Sequence, residues 1–168
     1  MKKQLILSLS IFWIALGPLL LGSCSKDKDD NANDSPFQLE ENLIMGNKLF
    51  NSSLDDRNSK NSFEILKIER KNEILQVSIK GSDSVGSFKF IWDGRIQESY
   101  PMGIQLIMLY QGKDEDFIPT EEKVIQVNLQ KIIGKRTNVN EYHFNIINGS
   151  KKKTATLNPD GTITNNDR

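Results

Sequence analysis

From residue 63 onward, apolar and polar side chains alternate with a period of two. Phe88, Phe90 and Trp92 alternate with Lys89 and Ile91, and Ile104, Leu106, Met108 and Tyr110 alternate with Gln105, Ile107 and Leu109. Ile125, Val127 and Leu129 alternate with Gln126 and Asn128, and Tyr142, Phe144 and Ile146 with His143 and Asn145. Successive side chains of a strand point to opposite faces, so this pattern predicts half-buried strands in antiparallel sheets rather than a parallel α/β core. The turns agree. Asn148-Gly149 stands between YHFNII and SKKKTATL, a pairing whose tolerance of positive φ suits a two-residue hairpin. In NPDG, Pro159 fits the second position of a turn and Gly161 its exit. Another hairpin joins FEILKIE to EILQVSIK through Arg70-Lys71-Asn72. Seven or eight strands counted from Phe63 predict an all-β fold, spaced as in a β-sandwich or small barrel, of which an antiparallel, Ig-like β-sandwich is the expectation taken forward.

The stretch before Phe63 reads less clearly. Ser35 can cap a short helix over residues 36–45, with Pro36 at its first position, Gln38 three residues after the cap and Gly46 as the stop. Alternatively, ENLIMGNKLF is a first strand broken at that glycine. The stretch NSSLDDRNSKNS, residues 51–62, reads as a linker with no core-forming side chain but Leu54.

At the other end of the pattern, Lys2 and Lys3 precede an apolar run over residues 5–21. That run is shorter than the roughly 20 residues a helix needs to cross a bilayer, and Pro18 would break its last turn, so it reads as a signal peptide. Leu21, Gly22, Ser23 and Cys24 then resemble the lipobox of bacterial lipoproteins, where a signal peptidase cuts after the residue at Ser23 and Cys24 becomes diacylated. Thioether attachment accounts for the single cysteine, which as a free thiol outside the cytoplasm would be a reactive liability. Two or three acyl chains meet the requirement for stable anchoring, so the membrane is an expected partner through Cys24. From Ser25 to Asp34 the chain carries no large apolar side chain and cannot offset its own ordering entropy, which predicts a disordered tether. Lys26, Asp27, Lys28, Asp29 and Asp30 resemble the export signal that sends Bacteroidetes lipoproteins to the cell surface. The expected address is therefore the outer membrane, with the outer face first and the periplasmic face as the alternative. The expected organisation is a signal peptide over 1–23, a lipidated tether over 24–35, a helix or strand with linker over 36–62, and the sandwich over 63–168.

Charge and chemistry then narrow the functional classes. The chain has 22 Lys+Arg and 22 Asp+Glu, and a near-neutral balance argues against nucleic acid, which selects a clear basic excess. Lys151, Lys152 and Lys153 form the one basic run and sit after a hairpin turn as solvated lysines. The single histidine, His143, falls on the face opposite Tyr142, Phe144 and Ile146. With no second histidine and no free thiol, catalytic triads and zinc sites lack members, so neither a metal nor a cofactor is expected and the chain reads as no enzyme. Asp114, Glu115 and Asp116, with Glu121 and Glu122, match no calcium-loop spacing. Asp93 and Glu98, beside Trp92 and Tyr100, are the carboxylate pair a glycosidase reading would nominate.

Asp83-Ser84-Val85 resembles the O-glycosylation acceptor of Bacteroidetes exported proteins and would place a sugar on Ser84 in an accessible turn. The segment FKFIWDGRIQESYP, residues 88–101, is a strand ending in an aromatic triad, then a turn at Asp93-Gly94 and an exit at Pro101. With Glu98-Ser99 and the apolar strand IQLIMLY, it resembles a group of small Bacteroidetes outer-membrane lipoproteins with a sandwich-like, Ig-like β domain, over roughly Phe63 to Leu129. Members of that group often carry cysteine and histidine before the aromatic strand, where this chain has Asp83 and Gly86. No activity attaches to the group, so the resemblance bears on fold. The expected function is a lipoprotein that acts as a non-enzymatic binding or accessory module for a protein or glycan partner. The alternative is a lipocalin-like barrel for a small ligand, suggested by LIMGNKLF followed by many strands, although the tryptophan usual near that glycine is missing.

Overall fold

The computed structural model describes residues 35–57, 61–84, 86–135 and 138–167. The expected signal peptide and tether over residues 1–34, with Ser23 and Cys24, and Val85 of the expected acceptor motif lie outside the described residues.

The fold is mostly β and sandwich-like, with two sheets sharing one core. The strands are β1 (Phe37–Glu40), β2 (Leu43–Met45), β3 (Glu64–Lys71), β4 (Ile74–Ser82), β5 (Phe88–Trp92), β6 (Met102–Tyr110), β7 (Ile118–Asn128), β8 (Tyr142–Asn148), β9 (Lys153–Leu157) and β10 (Ile163–Asp167). A seven-stranded sheet runs β1-β2-β5-β6-β8-β9-β10, and a three-stranded sheet runs β3-β4-β7. Neither closes into a barrel among the described residues, so the architecture a lipocalin-like reading requires is not formed.

Period-two alternation places the core faces as expected. Phe88, Phe90, Trp92, Ile104, Leu106, Met108, Ile125, Val127, Leu129, Tyr142, Phe144 and Ile146 all lie in one cluster between the sheets. The expectation of purely antiparallel pairing is corrected: β2 runs parallel to β5, and β6 runs parallel to β8. Parallel neighbours need a long crossover, and the intervening chain supplies it by building the second sheet. β3 and β4 lie between β2 and β5 in sequence, and β7 lies between β6 and β8. Alternation reports which face of a strand is buried but says nothing about its neighbour's direction.

The helix expected over residues 36–45 is also corrected. That segment forms β1 and β2, and the helix α1 runs over Asn47–Asp55, taking in the first five residues of the supposed linker. Gly46 is its N-cap rather than a stop. Local capping signals lose to strand pairing here, because Leu43–Met45 add directly to Phe90–Trp92 of β5. Crowding favours glycine at position 46, since a Cβ would lie 3.3 Å from Pro36 Cα and the neighbouring chain would have to give way by a few tenths of an ångström.

Leu49, Phe50 and Leu54 of α1 pack on Ile91, Ile107, Leu109 and Ile147. These are the positions that alternate with the core residues, so the middle of the large sheet is buried on both faces. The hairpins are realised with differences. β3 and β4 turn through Asn72-Glu73, with Asn72 at φ 55. The NPDG turn forms as expected, with the Gly161 N–H donating to Asn158 O at 3.0 Å and Gly161 at φ 84. Between β8 and β9, however, the connection is Gly149–Lys152 rather than a two-residue turn. Gly149 is not in the left-handed region; a Cβ there would come 2.5 Å from Met108 O, so close approach to β6 explains the residue.

The same connection clasps the two sheets together. Asn148 Nδ2 donates to Phe63 O at 2.9 Å, the Phe63 N–H donates to Ser150 Oγ at 3.1 Å, and Ser150 Oγ donates to Asn148 Oδ1 at 2.8 Å. All three residues are buried, and the Phe63 ring meets Phe88 edge-on at 5.0 Å.

Because Phe50 is 3% exposed and seated on the sheet, Phe50→Ala is expected to cost about 3–5 kcal/mol of unfolding free energy. Urea unfolding measures it, and a loss under about 1 kcal/mol would mean that α1 does not cover the sheet.

Candidate functional site

Three surfaces bring polar groups together. The first is the turn from β4 into β5. Asp83, 3% exposed, accepts from the Gly86 and Ser87 backbone N–H groups, the latter at 3.1 Å, through Oδ1. The Tyr110 hydroxyl lies 3.2 Å from Asp83 Oδ2 and 3.1 Å from Lys113 O. Burial opposes ionisation of Asp83, but the hydrogen bonds from Ser87, Gly86 and Tyr110 outweigh it and hold the carboxyl below its usual range. Burial and the neighbouring Asp83 carboxylate push the Tyr110 phenol up to about 12. The carboxylate oxygens are thus committed to ordering the turn, and Asp83 and Gly86, the two positions singled out before the aromatic strand, are bonded to each other. Ser84 is exposed at its tip, its carbonyl accepting from Lys123 Nζ at 3.1 Å.

The second surface is a groove of about 730 Å³ along the outer edge of β7, between Glu40–Asn42 and Val124–Gln126. Side chains already occupy part of that edge. Asn42 Nδ2 donates to Gln126 O, and the Asn128 N–H donates to Glu40 Oε2 at 3.2 Å. The remainder carries Pro119, Glu121, Glu122 and Lys123, with Glu121 and Lys123 3.6 Å apart. Such an edge is blunted against strand addition.

The third surface is the part of the large sheet that α1 leaves uncovered. Cross-strand partners share a face, so the pairs Gln105↔Asn145, Asn145↔Thr156 and Thr156↔Thr164 set four side chains in a row across β6, β8, β9 and β10. All four are partly or fully exposed. Thr156 Oγ1 donates to Asn145 Oδ1 at 2.7 Å, and Asn158 Nδ2 donates to Thr162 Oγ1 at 3.0 Å and to Thr164 Oγ1 at 3.3 Å. Beside the row, His143 and Gln97 lean over Gly103. A Cβ at Gly103 would come 2.8 Å from His143 Nε2 and 2.6 Å from Gln97 Oε1, so the glycine makes room for both. No acid, lysine or arginine stands in this group, whereas the outer face of the small sheet carries Lys67, Glu69, Lys80 and Glu122.

Gln97 belongs to the β5–β6 loop, which is held by its own bonds. Trp92 Nε1 donates to Arg95 O at 2.9 Å, the Gln97 and Gly103 backbones bond reciprocally at 2.8 and 3.1 Å, and Ser99 Oγ donates to Pro101 O at 2.7 Å. From this ordered loop Tyr100 projects with 99% exposure.

The other residues named from the sequence are dispersed. Asp93 Oδ1 accepts from the Arg95 N–H at 2.9 Å and serves the turn, while Glu98 is exposed. Asp114, Glu115 and Asp116 form an exposed 3₁₀ turn in which Asp114 accepts from Asn61 at 2.7 Å. Lys151 pairs with Glu64 at 3.1 Å, and this contact, first as a hydrogen bond and then as a charge, lowers the Glu64 pKa. Among the described residues no cluster of three or more His, Cys, Asp or Glu is placed to hold a metal ion. The uncharged strip went unnoticed in the sequence, although its members are the off-core positions of the alternation. What was missing was the parallel β6–β8 pairing that aligns them.

Comparison of the chain with family models, with curated proteins and with solved structures finds no match. Function must therefore be inferred from its own geometry.

Asp83→Ala should lower stability at pH 7 by about 2–3 kcal/mol. Since the folded pKa of Asp83 is depressed below its usual 3.8, this contribution is present above pH 3.8 and is lost as the pH falls through the folded value. The gap between wild type and variant should narrow in acid. Tyr110 has the opposite sign: its folded pKa is raised from 10.0 to about 12, so its contribution is present below pH 10 and is lost towards pH 12. In pH-dependent melting, Tyr110→Phe should remove that alkaline slope.

Proposed function

We propose that this chain is a lipid-anchored lipoprotein of the outer membrane whose β domain is a non-catalytic binding module. The anchor rests on the leader pattern and on Cys24 as the single cysteine. The lysine and acids after it favour the outer face. The observation that carries the binding role is the uncharged strip on the large sheet, flanked by an ordered loop that displays Tyr100. Polar groups fixed on strands are held more accurately than groups on loops, which suits recognition. A partner held by this strip would be a glycan or a polar protein surface rather than nucleic acid or a small apolar ligand. The exposure of Ser84 on a turn held by Asp83 supports reading it as an acceptor for a sugar.

Cells grown with labelled palmitate should label the wild-type chain and not Cys24→Ser; a labelled variant would remove the anchor. Protease added to intact cells should degrade the domain, whereas protection until the outer membrane is breached would put it on the periplasmic face. A mass excess over the polypeptide that disappears in Ser84→Ala is expected from glycosylation, and an unmodified wild-type mass would end that reading.

A further inference from the structure

We propose that the uncharged strip is a binding platform for a neutral glycan chain, with Gln105, Asn145, Thr156 and Thr164 hydrogen-bonding its hydroxyls and Tyr100 stacking on a sugar ring. The inference rests on the binding-module reading and names its ligand.

The chemistry of the strip selects the ligand class. A phosphorylated, sulfated or uronic-acid ligand would select lysine or arginine, and none stands among Gln97, Gln105, His143, Asn145, Thr154, Thr156 and Thr164. A protein interface would select a dehydrated centre of large apolar and aromatic side chains, and the strip has none. What it offers is amides and hydroxyls, each able both to donate and to accept. Sugar hydroxyls have the same double character. They bond well to groups that can serve either role and do not require a charge.

The groups also keep hydrogen-bonding capacity to spare, although Thr156 Oγ1 gives its proton to Asn145 and Thr164 Oγ1 accepts from Asn158 Nδ2 at 3.3 Å. Among the described residues, the Gln105 amide and the His143 ring make no hydrogen bond, and Asn145 uses only its Oδ1, which receives Thr156 Oγ1 at 2.7 Å. That bond fixes the Asn145 amide with Nδ2 free to donate outward. Their mounting is rigid, since β6 and β8 are buried on the opposite face by Ile104, Leu106, Phe144 and Ile146. Neighbouring strands lie about 4.8 Å apart, so the four-residue row spans about 14 Å. An extended oligosaccharide of a few rings fits that length lying across the strands.

Tyr100 supplies what the strip lacks. Its ring is 99% exposed on a loop braced by backbone hydrogen bonds between Gln97 and Gly103 and from Ser99 to Gln97, and Gln97 of the same loop reaches the strip at Gly103. A sugar ring presents C–H groups on one face and hydroxyls at its rim. The face can therefore stack on an aromatic ring while the rim bonds to amides, and an aromatic side chain has 150 to 250 Å² of surface, roughly, available for such contact.

The test is co-sedimentation of the full chain, purified in detergent, with insoluble starch, β-1,3-glucan and mannan as neutral probes and with polygalacturonate as the acidic one. Retention is expected on at least one neutral polysaccharide, insensitive to salt and absent on polygalacturonate. Tyr100→Ala, Gln105→Ala and Asn145→Ala should each weaken retention roughly five- to tenfold, with unchanged melting. Tyr100→Ala is the safeguard against misfolding, because that side chain touches little of the protein. Retention on polygalacturonate alone, or retention that all three variants leave intact, would overturn the proposal. If no neutral probe is retained but a photoreactive residue at position 105 crosslinks a protein on intact cells, the glycan inference fails and the binding-module reading stands. If neither is seen, both fail.

Discussion

The three central strands of the large sheet are apolar on both faces, and the rest of the molecule is arranged to satisfy that constraint. Phe88, Phe90 and Trp92, with Ile104, Leu106, Met108, Phe144 and Ile146, point one way, while Ile91, Ile107 and Ile147 point the other. A sheet with two apolar faces needs two covers. β3, β4 and β7 provide one and α1 the other, which is why the chain leaves the large sheet twice between strands that end up parallel. The second cover is too short for the whole face. α1 shields β5, β6 and one end of β8, and beyond it the same face turns to amides and hydroxyls. The candidate platform is thus the complement of the helix.

Cohesion between the sheets then depends on a small polar cluster. Asn148 and Ser150 receive the Phe63 backbone at the point where the chain enters β3, and every buried side-chain nitrogen and oxygen among the described residues finds a partner. Buried polar groups that are fully satisfied specify one arrangement at little net cost, whereas a broken member leaves the others stranded. Asp83 plays the corresponding part at the same end of the small sheet, where the chain leaves β4 beside the start of β3 and a charged oxygen replaces the backbone partners the turn cannot supply.

Much of this architecture was legible in the residues. The alternation in β5, β6, β7 and β8 named the buried face correctly because side-chain parity is a local property. The β9–β10 turn was legible because Gly161 needs a positive φ that glycine adopts freely. Asn148-Gly149 misled for the complementary reason: glycine answers to close approach as well as to φ, and the sequence does not say which. The helix was misplaced because Ser35, Pro36 and Gly46 imitate a capped helix, and only the pairing of Leu43–Met45 with β5 decides otherwise. The candidate site was the least legible part. Gln105, Asn145, Thr156 and Thr164 are scattered over sixty residues and become a row only when β8 lies beside β6.

Glu40 and Asn42 reach across to the backbone of β7, and their effect extends beyond that one strand. Each of the four outer edges of the two sheets is discouraged from templating another chain: β1 is four residues long and bulged, β3 is bulged and lined with charge, β7 is capped, and β10 is five residues of mostly polar chain. Open sandwiches without such devices polymerise when concentrated. Crowded copy against copy, the domain offers its neighbours no long, unprotected strand edge to extend.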